Sequence, residues 1–528
     1  MRMKKKLALL LAVVMLLSIS LACAPKVPDS QKETGTEDSK QGSTPDKGKD
    51  TLVVLSAGAF AGGWDPTSHS ILANKHLEHV LYTKILYPTD SGELVPGLCY
   101  EWETHDDGSA TMKIREGVTF HDGSVCDAED VKYTIENYSE KSKPSASNFR
   151  EQLKCDIIDP YTVKVYPSSG EPFAEMMALL AGTPVFSSER TSEQYTNEGP
   201  MGTGPYKFVK FENECVYLEA YDGYWDTEKA PSIKYVEYKY VPDAATRLAA
   251  LQSGEAHIIE RIEIEHIDLI EKDANCKYVE VVSGECQMLI CKWPREIMKN
   301  DNLRLALAYA LDREGAVDAI LGGHASVAKG FVAPSFVAYA DAKGLPTYNP
   351  EKAKEKLAEA GYPNGEGLPP ITFTTSVGMY AKTKECGEYF VQNWKDVGIN
   401  VTFNPVETAT WEELLYSDEE RAGEIVHTGW SPSMPDAGVP INAHYANRGR
   451  CNFVEDPELT ALIQKQSRVT DPEERLKVWS EEVYPYLASK CYNIPLWVSH
   501  HLYGYSANIE GFVLDSLSFC NFNEISFK

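Results

Sequence analysis

The sequence predicts an α/β protein with more than one domain, on three observations. Its 528 residues can bury more than one sizeable core. Ile371–Thr375 and Ile399–Pro405 are runs of strand length, and Glu385–Val397 between them has helical spacing. Strand, helix, strand is the pattern of a sheet with parallel pairs. Residues 91–135 add hairpin strands ahead of a capped helix, so the sheets are expected to be mixed.

The chain opens with a leader. Arg2, Lys4, Lys5 and Lys6 precede an apolar run, Leu7–Leu17, and small residues precede Cys23. The run is too short to span a bilayer, and residues 1–22 read as an export signal. Ala24–Asp50 has no aromatic residue and only Ala24 and Val27 as apolar ones, so it cannot order itself and serves as a tether of roughly 30 Å.

Thr51–Ser56 is the first strand, followed by a small-residue loop, Ala57–Gly63, and Trp64-Asp65-Pro66. Leu72–Leu81 is a helix carrying His76 and His79 at i, i+3, with His69 upstream. That spacing could hold a metal, but no H-E-x-x-H pattern accompanies it. Tyr100–Glu103 and Ala110–Phe120 are strands around an Asp106–Ser109 turn, and Arg115-Glu116-Gly117 interrupts the second. Asp127 caps a helix that buries Val131 and Ile135.

Asp156–Tyr166 is a hairpin, and Pro172–Leu180 an apolar helix. Met201–Phe208 (MGTGPYKF) turns sharply into an aromatic strand; no G-K-[ST] follows, so it is not a phosphate loop. Pro242–Gly254 is a helix with Leu248 and Leu251 inward and Gly254 as its stop. Val279–Cys291 is a long strand region. Asn302–Ala316 is one amphipathic helix with Leu303, Leu307 and Leu311 in line. Asn349 caps, and Gly361 ends, a further helix. Glu458–Val469 and Pro472–Leu487 are closing helices before the strand Tyr492–Ser499.

Net charge is −27, and −31 without the leader, which repels nucleic acid and anionic headgroups; nucleic acid is not an expected partner. Eleven cysteines follow Cys23 with no C-x-x-C pair, so neither a zinc ribbon nor a thioredoxin motif is supported. They read as small buried hydrophobes. G-x-S-x-G, H-E-x-x-H and Walker loops are absent, so no enzyme, cofactor or metal site is expected.

Three strings in order, ELVPGL, DDGSATMKIREGVTFHDG and AEDV, resemble the family 5 solute-binding proteins of ABC transporters, the oligopeptide, dipeptide and nickel binders. So do GTGPY at 202–206, the spacing Arg304, Ala306, Ala310, Leu311, Asp312, Arg313, and IEGF at 509–512; the resemblance covers residues 51–515. It implies a periplasmic-binding-protein-like α/β fold of two lobes, with ligand held between them and two strands crossing. Lobe I would be residues 51–81, 185–287 and 495–528, the inserted small domain 82–184, and lobe II 288–494. Ser20-Leu21-Ala22-Cys23 resembles a bacterial lipobox, which implies lipid attachment at Cys23 and a monomer held at the outer face of the cytoplasmic membrane. The implied partners are permease subunits with ATPases behind them.

Ligand identity rests on two places. The loop after the first strand contributes to the family's cleft, which points to Trp64. In the family's peptide binders a W-x-x-D-x-x-D/E-P pattern supplies an Asp for the peptide ammonium. Here Trp430 and Asp436 match, Ser433 stands in place of that Asp, and Ala437 replaces Pro. Either Asp436 or another acid substitutes, or the ligand is not a free-amine peptide. Trp430 as core and Asp436 as a turn residue is the competing structural reading. The expected function is capture of a peptide-like solute for import. The alternatives are an oligosaccharide, a nickel chelate or an amine metabolite, or a lipoprotein receptor or adhesin without transport.

Overall fold

Two long strands, Cys276–Cys291 and Asn493–Ser506, pair antiparallel and run through the middle of an 11-stranded sheet. The computed structural model describes residues 50–528 apart from 61–62, 69–71, 90–91, 141, 144, 147–148, 150, 431–433 and 447. The leader, Cys23 and most of the tether lie outside these residues, as do His69 and Ser433.

Beyond Cys276–Cys291 the sheet continues through Ile425–Trp430, Ile371–Val377 and Val401–Glu407. Beyond Asn493–Ser506 it continues through Ile258–Ile259, Thr51–Ser56, Tyr235–Tyr240, Cys215–Ala220 and Tyr206–Glu212. Each half contains parallel pairs: Ile371–Val377 with Val401–Glu407, and Thr51–Ser56 with Tyr235–Tyr240. The strand–helix–strand expectation is met, with the helix at Thr383–Asp396.

Between the lobes the crossing pair is interrupted. Its register shifts between Val282 and Cys286, where Ser283-Gly284-Glu285 bulges. The bulge is tied down by Gly284 N donating to Ser516 O (2.8 Å) and Ser283 Oγ donating to Ser499 O (2.7 Å). A bulge bends and twists its strand locally and re-aims the side chain that follows.

A separate antiparallel sheet orders Cys99–Thr104, Ala110–Ile114, Thr162–Pro167 and Leu153–Asp159. Its buried face, Met112, Ile114, Val163 and Val165, is continuous with the first lobe's core through Ile85, Leu218 and Val236. The other lobe packs Leu303, Leu307, Phe373, Trp394, Ile425 and Leu496. Each such side chain contributes about 1.5–3 kcal/mol when fully buried.

Several elements depart from expectation. The strand at Ala110 stops at Ile114, because Gly117 at φ 79 turns the chain; Val118 and Phe120 are buried from a loop. Asn302–Ala316 is two helices, Asp301–Tyr309 and Arg313–Ala319, because Asp312 accepts from Gly315 N and caps the second. The helix expected over Pro172–Leu180 is only Met176–Ala181. Pro472–Leu487 is longer, running as Pro472–Val478, a π turn at Trp479–Val483, and Tyr484–Lys490. The eleven described cysteines are free thiols, ten of them buried and Cys520 partly so.

Candidate ligand cleft

Trp430 ends the strand that borders the crossing pair, directly opposite Cys286. A helix, Gly438–Tyr445, brings His444 edge-on to the indole, ring centres 4.5 Å apart at 81°. The guanidinium of Arg450 lies over the same indole at 4.9 Å and over Tyr416 at 5.0 Å. Among the described residues, Trp430 Nε1 and both ring nitrogens of His444 are buried without a hydrogen-bond partner. His444 is 1% exposed, and burial, then the Arg450 charge, lowers its pKa to about 3, so the ring is neutral at pH 7.

The bulge delivers Glu285 to the same crossing. Its Oε1 accepts from Gln287 Nε2 (2.5 Å) and Ser499 Oγ (2.8 Å), and lies 4.0 Å from His501 Nε2. Burial alone would raise the carboxyl pKa. His501, Arg261 and the Ser499 hydroxyl outweigh it and hold the group at about 2, so Glu285 is ionised. Gln287 Oε1 has no partner among the described residues. Tyr380 OH donates to Gly429 O (3.2 Å), and a Cβ on Gly429 would stand 2.5 Å from Gln287 Nε2 and 2.9 Å from the Tyr380 ring. Only glycine lets strand, glutamine and tyrosine approach this closely.

The two halves of the sheet touch here. Arg261, at φ 47 just beyond Ile258–Ile259, donates from Nη1 to Met379 O (3.4 Å). Lys382, at φ 52, pairs with Glu265. Both contacts join the 261–265 segment, from one half of the sheet, to the 379–382 segment of the other half.

Among the described residues that the sequence singled out, Trp430 alone sits in this cluster. Trp64 packs on Phe60 (3.9 Å), Phe208 (4.7 Å) and Phe211 (6.0 Å), beside the strand Tyr206–Glu212 at the far edge of the sheet. Asp436 is 2% exposed; its oxygens accept from Arg475 at 2.6 and 2.8 Å and from Gly438 N at 2.7 Å. Ser433 is outside the described residues. His76 Nδ1 lies 3.1 Å from Glu260 Oε1, and His79 Nε2 2.7 Å from Asn521 Oδ1, so the two histidines have separate partners. No group of three His, Cys, Asp or Glu among the described residues could hold a metal.

Sequence reading missed Glu285, Gln287, His444 and Arg450. No motif marks them, because they come together only through strand pairing and one helix. One signal was available: Gly284 inside an apolar strand run marks a bulge.

Comparison with known proteins accords with this architecture. The glutathione-binding protein GsiB of Escherichia coli K12 is 26% identical over 484 residues, covering 87% of this chain and 91% of GsiB. The ABC transporter substrate-binding protein CtaP of Listeria monocytogenes superposes with a TM-score of 0.80 at 21% identity, over 91% of this chain and 100% of that one. The dipeptide-binding protein of Pseudoalteromonas sp. SM9913, in complex with Met-Leu, gives 0.78 at 19% identity, over 90% and 100%. These two likenesses are of fold. The family profile described as bacterial extracellular solute-binding proteins, family 5 Middle, matches residues 93–450, well over half of the chain. This protein therefore belongs to the family 5 bacterial extracellular solute-binding proteins.

Proposed function

We propose that this chain is the solute receptor of an ABC importer, that it closes its two lobes on a peptide-like ligand at the crossing strands, and that it presents the closed form to a permease. The observation that carries the reading is the crossing itself: Trp430, with unpaired buried polar atoms around it, pairs with Cys286, and the residue before Cys286 is the ionised Glu285. A binding site needs such a mixture of apolar surface and few convergent polar groups. The glutathione- and dipeptide-binding proteins named above favour a ligand with peptide bonds.

The missing amine partner has a candidate. Asp436 is engaged by Arg475, and Glu285 is an ionised acid in the bulge of the crossing strand, next to the partner of Trp430, so Glu285 is our choice for pairing a ligand ammonium. Trp64 and Ser433 stay as proposed contacts on the family pattern alone. Lobe boundaries at 51–81 with 185–287 and 495–528, at 82–184, and at 288–494 follow the expected division. Lipid on Cys23, a 24–50 tether and a monomer complete the reading. No described helix is long and apolar enough to cross a membrane.

Thermal-shift screening of short peptides, neutral oligosaccharides and nickel chelates tests it. A ligand at about 100 times its dissociation constant stabilises by about 2.7 kcal/mol. Peptide hits are expected. A response to sugars or nickel with none to peptides would replace the ligand class.

A further inference from the structure

The reading of the crossing as the ligand site leaves one set of atoms without a purpose. Trp430 Nε1 can only donate, and a neutral histidine donates from one nitrogen. Leaving a buried donor or acceptor unpaired costs about 1–3 kcal/mol, so native structures rarely keep several together. Here Trp430 Nε1 and both nitrogens of His444 are unpaired among the described residues, in rings 4.5 Å apart.

The third member is Arg450. Other arginines nearby find acids: Arg448 bonds Glu455 and lies by Asp418, and Arg475 grips Asp436. Arg450 forms no ion pair with a described carboxylate; its guanidinium lies within 5.0 Å of the ring centres of both Trp430 and Tyr416 instead. Two aromatic rings help hold the guanidinium in place, and its planar fork of donors matches a carboxylate. An ammonium would be repelled at this place, and a neutral hydroxyl would leave the charge unanswered.

We infer that Trp430, His444 and Arg450 form a subsite for a carboxylate of the ligand. The assignment rests on the proposed role as a solute receptor and adds the chemistry of one end of the ligand. Together with Glu285 on the neighbouring strand it would select solutes with a free acid group placed away from any amine.

The test uses matched probes. Di- to tetrapeptides are offered as free acids and as C-terminal amides, and oligosaccharides as uronic acids and as neutral sugars. Affinity is measured calorimetrically for wild type, Arg450→Gln and Arg450→Lys, each first checked for an unchanged circular dichroism spectrum and melting temperature. The expected result is preference for the acid of a pair, with Arg450→Gln losing about tenfold to hundredfold on the acid. The amide should be little affected, and Arg450→Lys should recover part of the loss. Equal binding of acid and amide, or an equal loss for both on Arg450→Gln, overturns the subsite. Binding of uronic acids but no peptide keeps the subsite and removes the peptide reading.

Discussion

Arg475 and Asp436 are joined by two parallel hydrogen bonds, Nη1 to Oδ2 at 2.6 Å and Nη2 to Oδ1 at 2.8 Å, with both side chains buried. Arg475 Nη2 also lies 3.4 Å from Glu175 Oε1, which accepts from Gln466 Nε2 (2.7 Å) and Ser467 Oγ (2.9 Å). The cluster joins the segment after Trp430, the Pro472–Val478 helix and the residues just before Met176–Ala181. Burial works against the Arg475 charge, and Asp436 and Glu175 more than offset it, raising its pKa. Arg475→Ala leaves two buried carboxylates without their counter-charge and is expected to cost about 3–5 kcal/mol. Urea unfolding reads this directly, and an unchanged midpoint would mean that water reaches the acids.

Trp430 is only half-buried, so removing its indole should spare the fold. Trp430→Ala is expected to weaken ligand binding at least about tenfold, in line with aromatic anchors at binding sites, while the melting temperature of the free protein moves by a few degrees at most. A large fall in that temperature with affinity retained would return Trp430 to the core.

Four histidines, His427 and His444 buried and His79 and His121 half-buried, predict acid lability. Burial, acting first in each case, lowers His79 and His444 to about 3, and His121 and His427 to about 4. Their folded pKa values lie below the ordinary 6.5, so their stabilising contribution is complete above pH 6.5. It is lost as pH falls toward 4, because the unfolded chain takes up the protons first. Urea midpoints at pH 7, 6 and 5 should fall progressively, and His427→Gln should reduce the slope if the variant folds. A flat profile would contradict the burial of these rings.

The Lys382–Glu265 pair and the Arg261–Met379 contact join residues 261–265 to residues 379–382, across the expected lobe division. Lys382→Glu places like charges across the gap and should favour the open form. Small-angle scattering is expected to report a larger radius of gyration for the free variant, and ligand dissociation should be faster. Since the pair is exposed, the effect should be modest and should fade as salt rises.

Release from the membrane tests the N-terminal proposal. Cys23→Ala should shift the protein from the membrane fraction to the medium or wash, with ligand affinity unchanged. Retention in the membrane would point to another anchor.

The chain's local chemistry was legible where it is self-contained. Asp127 caps Ala128–Tyr138, Asn349 caps Pro350–Glu359, and Gly254 at φ 80 ends Ala244–Ser253, each as its spacing suggests. Breaks that depend on one residue among favourable neighbours were not legible: Asp312 splits a helix whose leucine spacing runs straight through it. The crossing strands were visible as two apolar segments, but their pairing over 200 residues of separation was not.

By itself the sequence determined the family and the α/β class, because strings such as ELVPGL and DDGSATMKIREGVTFHDG carry them and because helix and strand periods are local properties. It also marked Trp430. Only the tertiary structure decided which polar groups stand beside that indole. Asp436, which matches the family pattern by position, is buried against Arg475, while His444 from a helix and Arg450 from a loop stand at the indole and the strand bulge sets Glu285 beside the Cys286 that pairs with Trp430. The physical reason is that a buried charge is defined by its partner, and the partners here are brought in by long-range strand pairing and packing, which no run of neighbouring residues encodes.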